Sequence, residues 1–109
     1  MDKASTDINE MHLKSGDLVR FHDWGSGGYL FGLIMEKEDE IYHSKLNIWR
    51  PMDLYYLQAH GIDDVMVIDS LDKVEDYELS EFKDFLQELI KRNMYCPNAD
   101  ALLKSINVA

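Results

Sequence analysis

The residues best equipped for chemistry are four histidines (His12, His22, His43 and His60), one cysteine (Cys96) and a short glycine-rich run, Asp23-Trp24-Gly25-Ser26-Gly27-Gly28. The run fails as a phosphate cradle on spacing. Gly25 and Gly27 would need a third glycine where Leu30 stands, no Gly-Lys-Ser/Thr occurs in the chain, and position 24, where a nucleophile elbow built on Ser26 carries glycine, is Trp24. It reads instead as a hairpin loop, with Trp24 either an exposed anchor for a partner or a ring folded back to close the strands. None of the histidines has a second histidine four residues away or a Cys-x-x-Cys companion. His22 and His43 fall in two strand segments and, with Asp23, could form a weak divalent site; neutral histidines are the simpler reading. Cys96 precedes Pro97 at a helix break, and nothing in the sequence sets a base beside it. The expectation is a chain with no catalytic residue, no cofactor and no metal.

Two other groups of side chains suit recognition. Tyr29, Trp49, Tyr55 and Tyr56 are aromatic residues of a β-rich stretch and could line a groove for an extended peptide, although most aromatics of a small domain belong to its core. From position 63 to position 81 there are eight acids and one base, Lys73, a net of −7 in 19 residues. Within this run Asp72, Glu75, Asp76 and Glu78 are the candidate contacts to a basic partner, because a one-signed stripe accelerates encounter with the opposite sign. A solvated linker is the plain reading of the same residues. The stripe also imitates a nucleic-acid backbone, whose duplex carries about one charge per 1.7 Å.

The whole composition narrows the classes. The chain has 109 residues, 46% hydrophobic and 29% charged, which is one globular domain's worth and not a disordered composition. Its 21 acids outnumber 11 bases, a formal charge of −10. That excludes a general nucleic-acid binder, which needs a basic face, and disfavours docking on anionic lipid. No apolar run reaches the roughly 18 residues of a membrane helix. Met1-Asp2-Lys3-Ala4-Ser5-Thr6-Asp7 has no apolar core behind its charges, so no signal peptide is expected, and a lone cysteine fits a reducing compartment. The expected location is the cytoplasm.

The elements that must position these groups follow from periodicity. Residues 1–14 lack a period and read as an N-terminal arm. Lys14-Ser15-Gly16-Asp17 is a turn signal. Strands are expected near 17–22, with Val19 and Phe21 on one face; near 29–36, where Gly32 suggests a bulge or sharp bend; near 41–49, ended by Arg50-Pro51; and near 65–68, after a turn at Gly61-Ile62-Asp63-Asp64. Residues 51–61 are ambiguous between a helical turn and an irregular connection. Phe82, Phe85, Leu86, Leu89 and Ile90 recur at helical spacing, predicting a helix over 80–92 capped by Ser80 and stopped at Asn93. Asn98 can cap a second helix carrying Ala101, Leu102 and Ile106. Short turns and no helix between the first three strands favour an antiparallel meander.

The succession Gly16-Asp17-Leu18-Val19-Arg20-Phe21, Gly32-Leu33-Ile34-Met35-Glu36, Leu46-Asn47-Ile48-Trp49 and Val65-Met66-Val67-Ile68 resembles small SH3-like barrel proteins of tailed bacteriophages. The resemblance covers residues 15–69 and implies a small antiparallel SH3-like barrel, a viral source and a role in binding or assembly. The expected organisation is thus an arm at 1–14, a barrel at 15–69, an acidic linker at 70–79 and a helical segment at 80–109: mainly β with C-terminal α. The expected function is a non-enzymatic protein-interaction module, a phage accessory or virion-assembly component found in the host cytoplasm or the virion. The alternative is an acidic, nucleic-acid-mimicking inhibitor of a host nucleic-acid-binding protein. In both, the partner is a protein, with no direct contact to nucleic acid or membrane.

Overall fold

A computed structural model of the chain describes residues 13–23, 28–35, 40–45, 48–53, 57, 59 and 62–108. Five strands, β1 (Leu18–Asp23), β2 (Gly28–Ile34), β3 (Glu40–Lys45), β4 (Ile48–Asp53) and β5 (Ile62–Val67), precede two helices, α1 (Leu79–Lys91) and α2 (Ala99–Val108). The strands form one sheet in the order β4-β3-β2-β1-β5, antiparallel at every pairing. The expected antiparallel sheet followed by helices is present. Closure into a barrel is not: β4 and β5 are the two edges of the sheet.

Strand β1 is central and buried on both faces, so its alternation sorts two cores. Leu18 faces one way with Phe31, Leu33 and Tyr42; Val19 and Phe21 face the other with Ile34 and Ile41. The first face is covered by the helices. Phe82, Phe85, Leu86 and Leu89 sit on it together with Ala99 and Leu102, and the Phe31 ring lies 4.9 Å from that of Phe82. The 82/85/86/89 spacing therefore buries its stripe within the chain itself, while Ile90 at its margin stays exposed. The second face gathers Ile41 from β3 and Val65 from β5 in one cluster with Leu57. These strands are three places apart in the sheet, about 14 Å if it were flat at about 4.8 Å per step. Ile34 of β2 and Val19 and Phe21 of β1 lie between them and join the two ends of this core.

Several expected boundaries change. The single strand over 41–49 is two, β3 and β4, with Lys45 opposite Ile48 and only two residues, Leu46 and Asn47, between them. Pro51 does not end the strand; it pairs with Tyr42 inside β4, and an edge strand tolerates a residue that cannot donate to the ladder. Gly32 marks no bulge, since its pairings with Val19 and His43 are regular; the shift of register lies between Arg20 and His22, where β1 meets β5. The expected turn before the last strand is strand from Ile62 onward, with Asp64 accommodated at φ +55°. In the ambiguous connection, Leu57 and Ala59 are helical. Most of the N-terminal arm lies outside the described residues.

The acidic stretch departs furthest from its expected form. It holds two 3-10 turns, Leu71–Lys73 and Asp76–Glu78, with Val74 buried between them. The second turn carries a reciprocal capping box between Glu75 and Glu78 and runs straight into α1. Ser80 is thus the second residue of the helix and not its cap. The stretch is an ordered strap tied down at Val74 and Glu78.

Candidate functional site

The strap is pinned by a polar cluster on the helix-covered face of the sheet. Arg20 projects from β1, two positions from Leu18 and therefore on the same side. Its Nε donates to both carboxylate oxygens of Glu78, at 2.9 and 3.2 Å, and both residues are buried, at 9% and 5% exposure. Glu78 Oε1 also accepts the Glu75 backbone N–H at 3.1 Å. Burial alone would depress the Arg20 pKa, but the hydrogen bond and the field of Glu78 outweigh it and hold the guanidinium above its ordinary value. The Arg20 Cζ lies 3.7 Å over the ring of Tyr29 on the neighbouring strand, and the Tyr29 hydroxyl donates to Asp64 Oδ2 at 3.1 Å. His22 meets the same ring edge-on at 5.0 Å.

This geometry sorts the nine residues singled out from sequence. Tyr29 is engaged by Arg20, His22 and Asp64, so its ring is part of a staple and not an open groove wall. Glu78 is not on an exposed stripe; it is the buried anchor of the strap. Asp72, Glu75 and Asp76 are exposed, as expected for contacts. Trp49 belongs to β4 opposite Ser44, its side chain outside the described set, and Trp24, Tyr55 and Tyr56 lie outside the described residues altogether. Of these aromatic residues only Tyr29 has a described side chain, and one face of its ring is in contact with Arg20.

The acidic surface is wider than the strap. Asp64, Asp69, Asp72, Glu75, Asp76, Glu81 and Asp84 are all exposed, and Lys73 lies 3.5 Å from Asp69. Glu81, in the first turn of α1, has its carboxyl pKa raised by desolvation first and then by the fields of Glu78 and Asp84. Asp84 continues the face along the helix beyond the 63–81 window; its i, i+3 spacing from Glu81 was the available signal. In the middle of these acids Tyr77 is 79% exposed. Sequence reading passed over Tyr77, because its flanking acids gave no hint that a short turn would lift its ring into solvent.

The remaining chemical candidates separate. His22 contacts Tyr29, whereas His43 packs edge-on to Phe21 at 6.0 Å. Phe21 and His22 are consecutive in a strand and face opposite sides, so the two histidines lie on opposite faces and form no common site. Among the described residues no cluster of three metal-ligating side chains occurs. Cys96 is half-buried and its pKa is pushed up to about 11, first by desolvation, which keeps it a thiol and a poor nucleophile at neutral pH. The glycine run at 24–27 is outside the described residues. Among the described residues no helix is long and apolar enough to cross a membrane. No family model, curated protein or solved structure matches the chain.

Proposed function

We propose that the chain is a non-enzymatic protein-interaction module that presents its acidic strap and the first turns of α1 to a basic partner. The observation that carries this is that Asp64, Asp69, Asp72, Glu75, Asp76, Glu81 and Asp84 are all exposed, beside a core that is complete without them. Self-repulsion within such a face lowers the stability of the free protein, and a cationic partner relieves it while steering approach. The exposed Tyr77 in its centre supplies the kind of amphipathic ring that anchors interfaces. The scaffold is read as SH3-like on one ground: a four-strand meander with the fifth strand returning beside the first. The resemblance of residues 15–69 to phage barrels supports a phage accessory or virion-assembly component, working in the host cytoplasm or the virion. Closed backbone edges favour recognition through side chains: Pro51 sits in one edge strand, and Asp64, with positive φ beside a register shift, in the other.

A second reading makes the same face an imitation of nucleic acid that inhibits a nucleic-acid-binding protein of the host. It is favoured by the continuation of acids from the strap onto α1. Affinity purification followed by kinetics tests both. The variant Asp76→Asn/Glu81→Gln/Asp84→Asn, which leaves Glu78 in place, should associate with the captured partner more slowly than the parent at low salt, and the difference should shrink as salt screens charges beyond about 8–10 Å. Unchanged association across the salt series removes the acidic face from the interface. Competition by duplex DNA for the partner selects the inhibitor reading, and co-purification with virus particles at fixed stoichiometry selects the assembly reading.

A further inference from the structure

Three irregularities of the sheet meet at one residue. Between the pairs Arg20–Met66 and His22–Asp63, β5 sets two residues, Asp64 and Val65, against one of β1, Phe21. This is a bulge, which bends a strand and re-aims a side chain. Val65 and Phe21 are buried in the second core, whereas Asp64 is exposed. Asp64 has φ +55°, a region that glycine enters freely and aspartate tolerates better than most residues. Its carboxylate is met from across the central strand. Tyr29 stands on β2 and Asp64 on β5, with β1 between them, and the Tyr29 hydroxyl donates to Asp64 Oδ2 at 3.1 Å.

The bridging ring is itself held. His22, opposite Tyr29 in the ladder, meets it edge-on at 5.0 Å, and the Arg20 Cζ lies 3.7 Å over its centroid. Arg20 in turn holds the Glu78 carboxylate at 2.9 Å. Contacts thus run without a break from Asp64 through Tyr29 and Arg20 to Glu78, the anchor of the strap. One buried cation supports both an acid of the sheet and the segment that carries Asp72, Glu75 and Asp76.

We propose that Tyr29 is a positioning residue of the acidic face, holding the Asp64 carboxylate in place for a cation of the partner. The inference rests on the reading of that face as the binding surface, and it separates two contributions within it. The strap acids act by number and sign, which set the rate of encounter. Asp64 acts by place. The phenol engages one of its oxygens, and a carboxylate accepts through both, so an N–H of the partner can still be received. A side chain ordered before contact also loses less entropy on binding. The Tyr29 hydroxyl is neutral, so removing it alters the position of an acid without altering the charge of the face.

Site-resolved NMR titration of the full chain with hexaamminecobalt(III) at low salt tests this. The probe is a compact cation of charge +3 whose ligands offer N–H donors. In the parent, the signals of residue 64 and of the strap should move as it is added. Tyr29→Phe keeps the ring over Arg20 and every acid. It should weaken the affinity read at residue 64 about two- to tenfold and leave that read at residues 72, 75 and 76 unchanged. In an Asp64→Asn background the same change should have no further effect on the probe. A loss spread equally over residue 64 and the strap would be that of a merely structural residue and overturns the proposal. Unchanged affinity at residue 64, or a further loss in the Asp64→Asn background, overturns it as well. The reading of the face fails separately: it falls if Asp76→Asn/Glu81→Gln/Asp84→Asn leaves the affinity read at the strap unchanged, whatever Tyr29→Phe does.

Discussion

Glu78 shows how far one side chain's surroundings can reverse its apparent role. In sequence it is one acid among eight; in the fold it is the counter-charge of a buried arginine and half of a capping box. Removing one member of a buried pair leaves the other desolvated and unpaired, which typically costs about 3–5 kcal/mol. Glu78→Gln keeps the shape and removes the charge, so it should destabilise the protein by an amount in that range, read from the urea midpoint at constant slope. Replacing Arg20 by Met in the same chain should restore much of the loss, because no unpaired buried charge then remains. A single-mutant loss below about 1 kcal/mol would show that the strap is not anchored there. The same cluster occupies one face of the Tyr29 ring, over which Arg20 already places a cation.

At the scale of elements, the sequence made the strand and helix periods plain wherever one face is buried. Val19 and Phe21 share a core as their alternation requires, and the 82/85/86/89 stripe lies on the sheet. The hairpin between β3 and β4 was not legible, because Leu46 and Asn47 continue the apolar–polar alternation through the turn and no glycine interrupts it. The strap was misread for a different reason: its anchors are one valine and one ion pair, and a charge count cannot reveal which acid points inward. Gly32 was noticed for the wrong cause. It faces the same side of the sheet as Ile41, whose side chain a Cβ would meet, Cγ1 at 2.6 Å, with the Phe21 ring at 3.2 Å. Gly32→Ala should therefore destabilise by about 1–3 kcal/mol, the usual range for overpacking a filled core. Ile41→Val in the Gly32→Ala background should recover part of this by vacating the Cδ1 position. Thermal or urea unfolding of the two single variants and the double variant measures the coupling. Strict additivity would mean that the cost of a side chain at position 32 does not arise from the close approach of Ile41.

For the whole molecule the governing quantity is a charge of −10 on a body with a radius of gyration of 13.2 Å. Surface charges of one sign oppose compaction, and the effect here has a local reporter. The Glu81 carboxyl is desolvated and faces Glu78 and Asp84, and although a helix N-terminus favours its negative form, its pKa lies above the ordinary carboxyl value of 4.5. A carboxyl raised in the folded state binds more protons there than in the unfolded chain. Its contribution to stability is therefore largest at low pH and declines as pH rises from 4.5 through the higher folded value, the opposite of a salt-bridged acid. Neutralising the crowded acids should act in the same direction as adding that proton. Asp76→Asn/Glu81→Gln/Asp84→Asn should raise the melting temperature at pH 7 and low salt by about 2–4 °C, the shift that about 0.5 kcal/mol in total gives a domain of this size. Added sodium chloride should raise the parent's melting temperature more than the variant's, because the screening length falls to about 3 Å at molar salt and the repulsion disappears for both. The two melting curves should then converge. A gap that persists undiminished at high salt would trace the variant's effect to packing or helix propensity and not to charge, and the acidic face would lose its standing as a strained surface held ready for a cation.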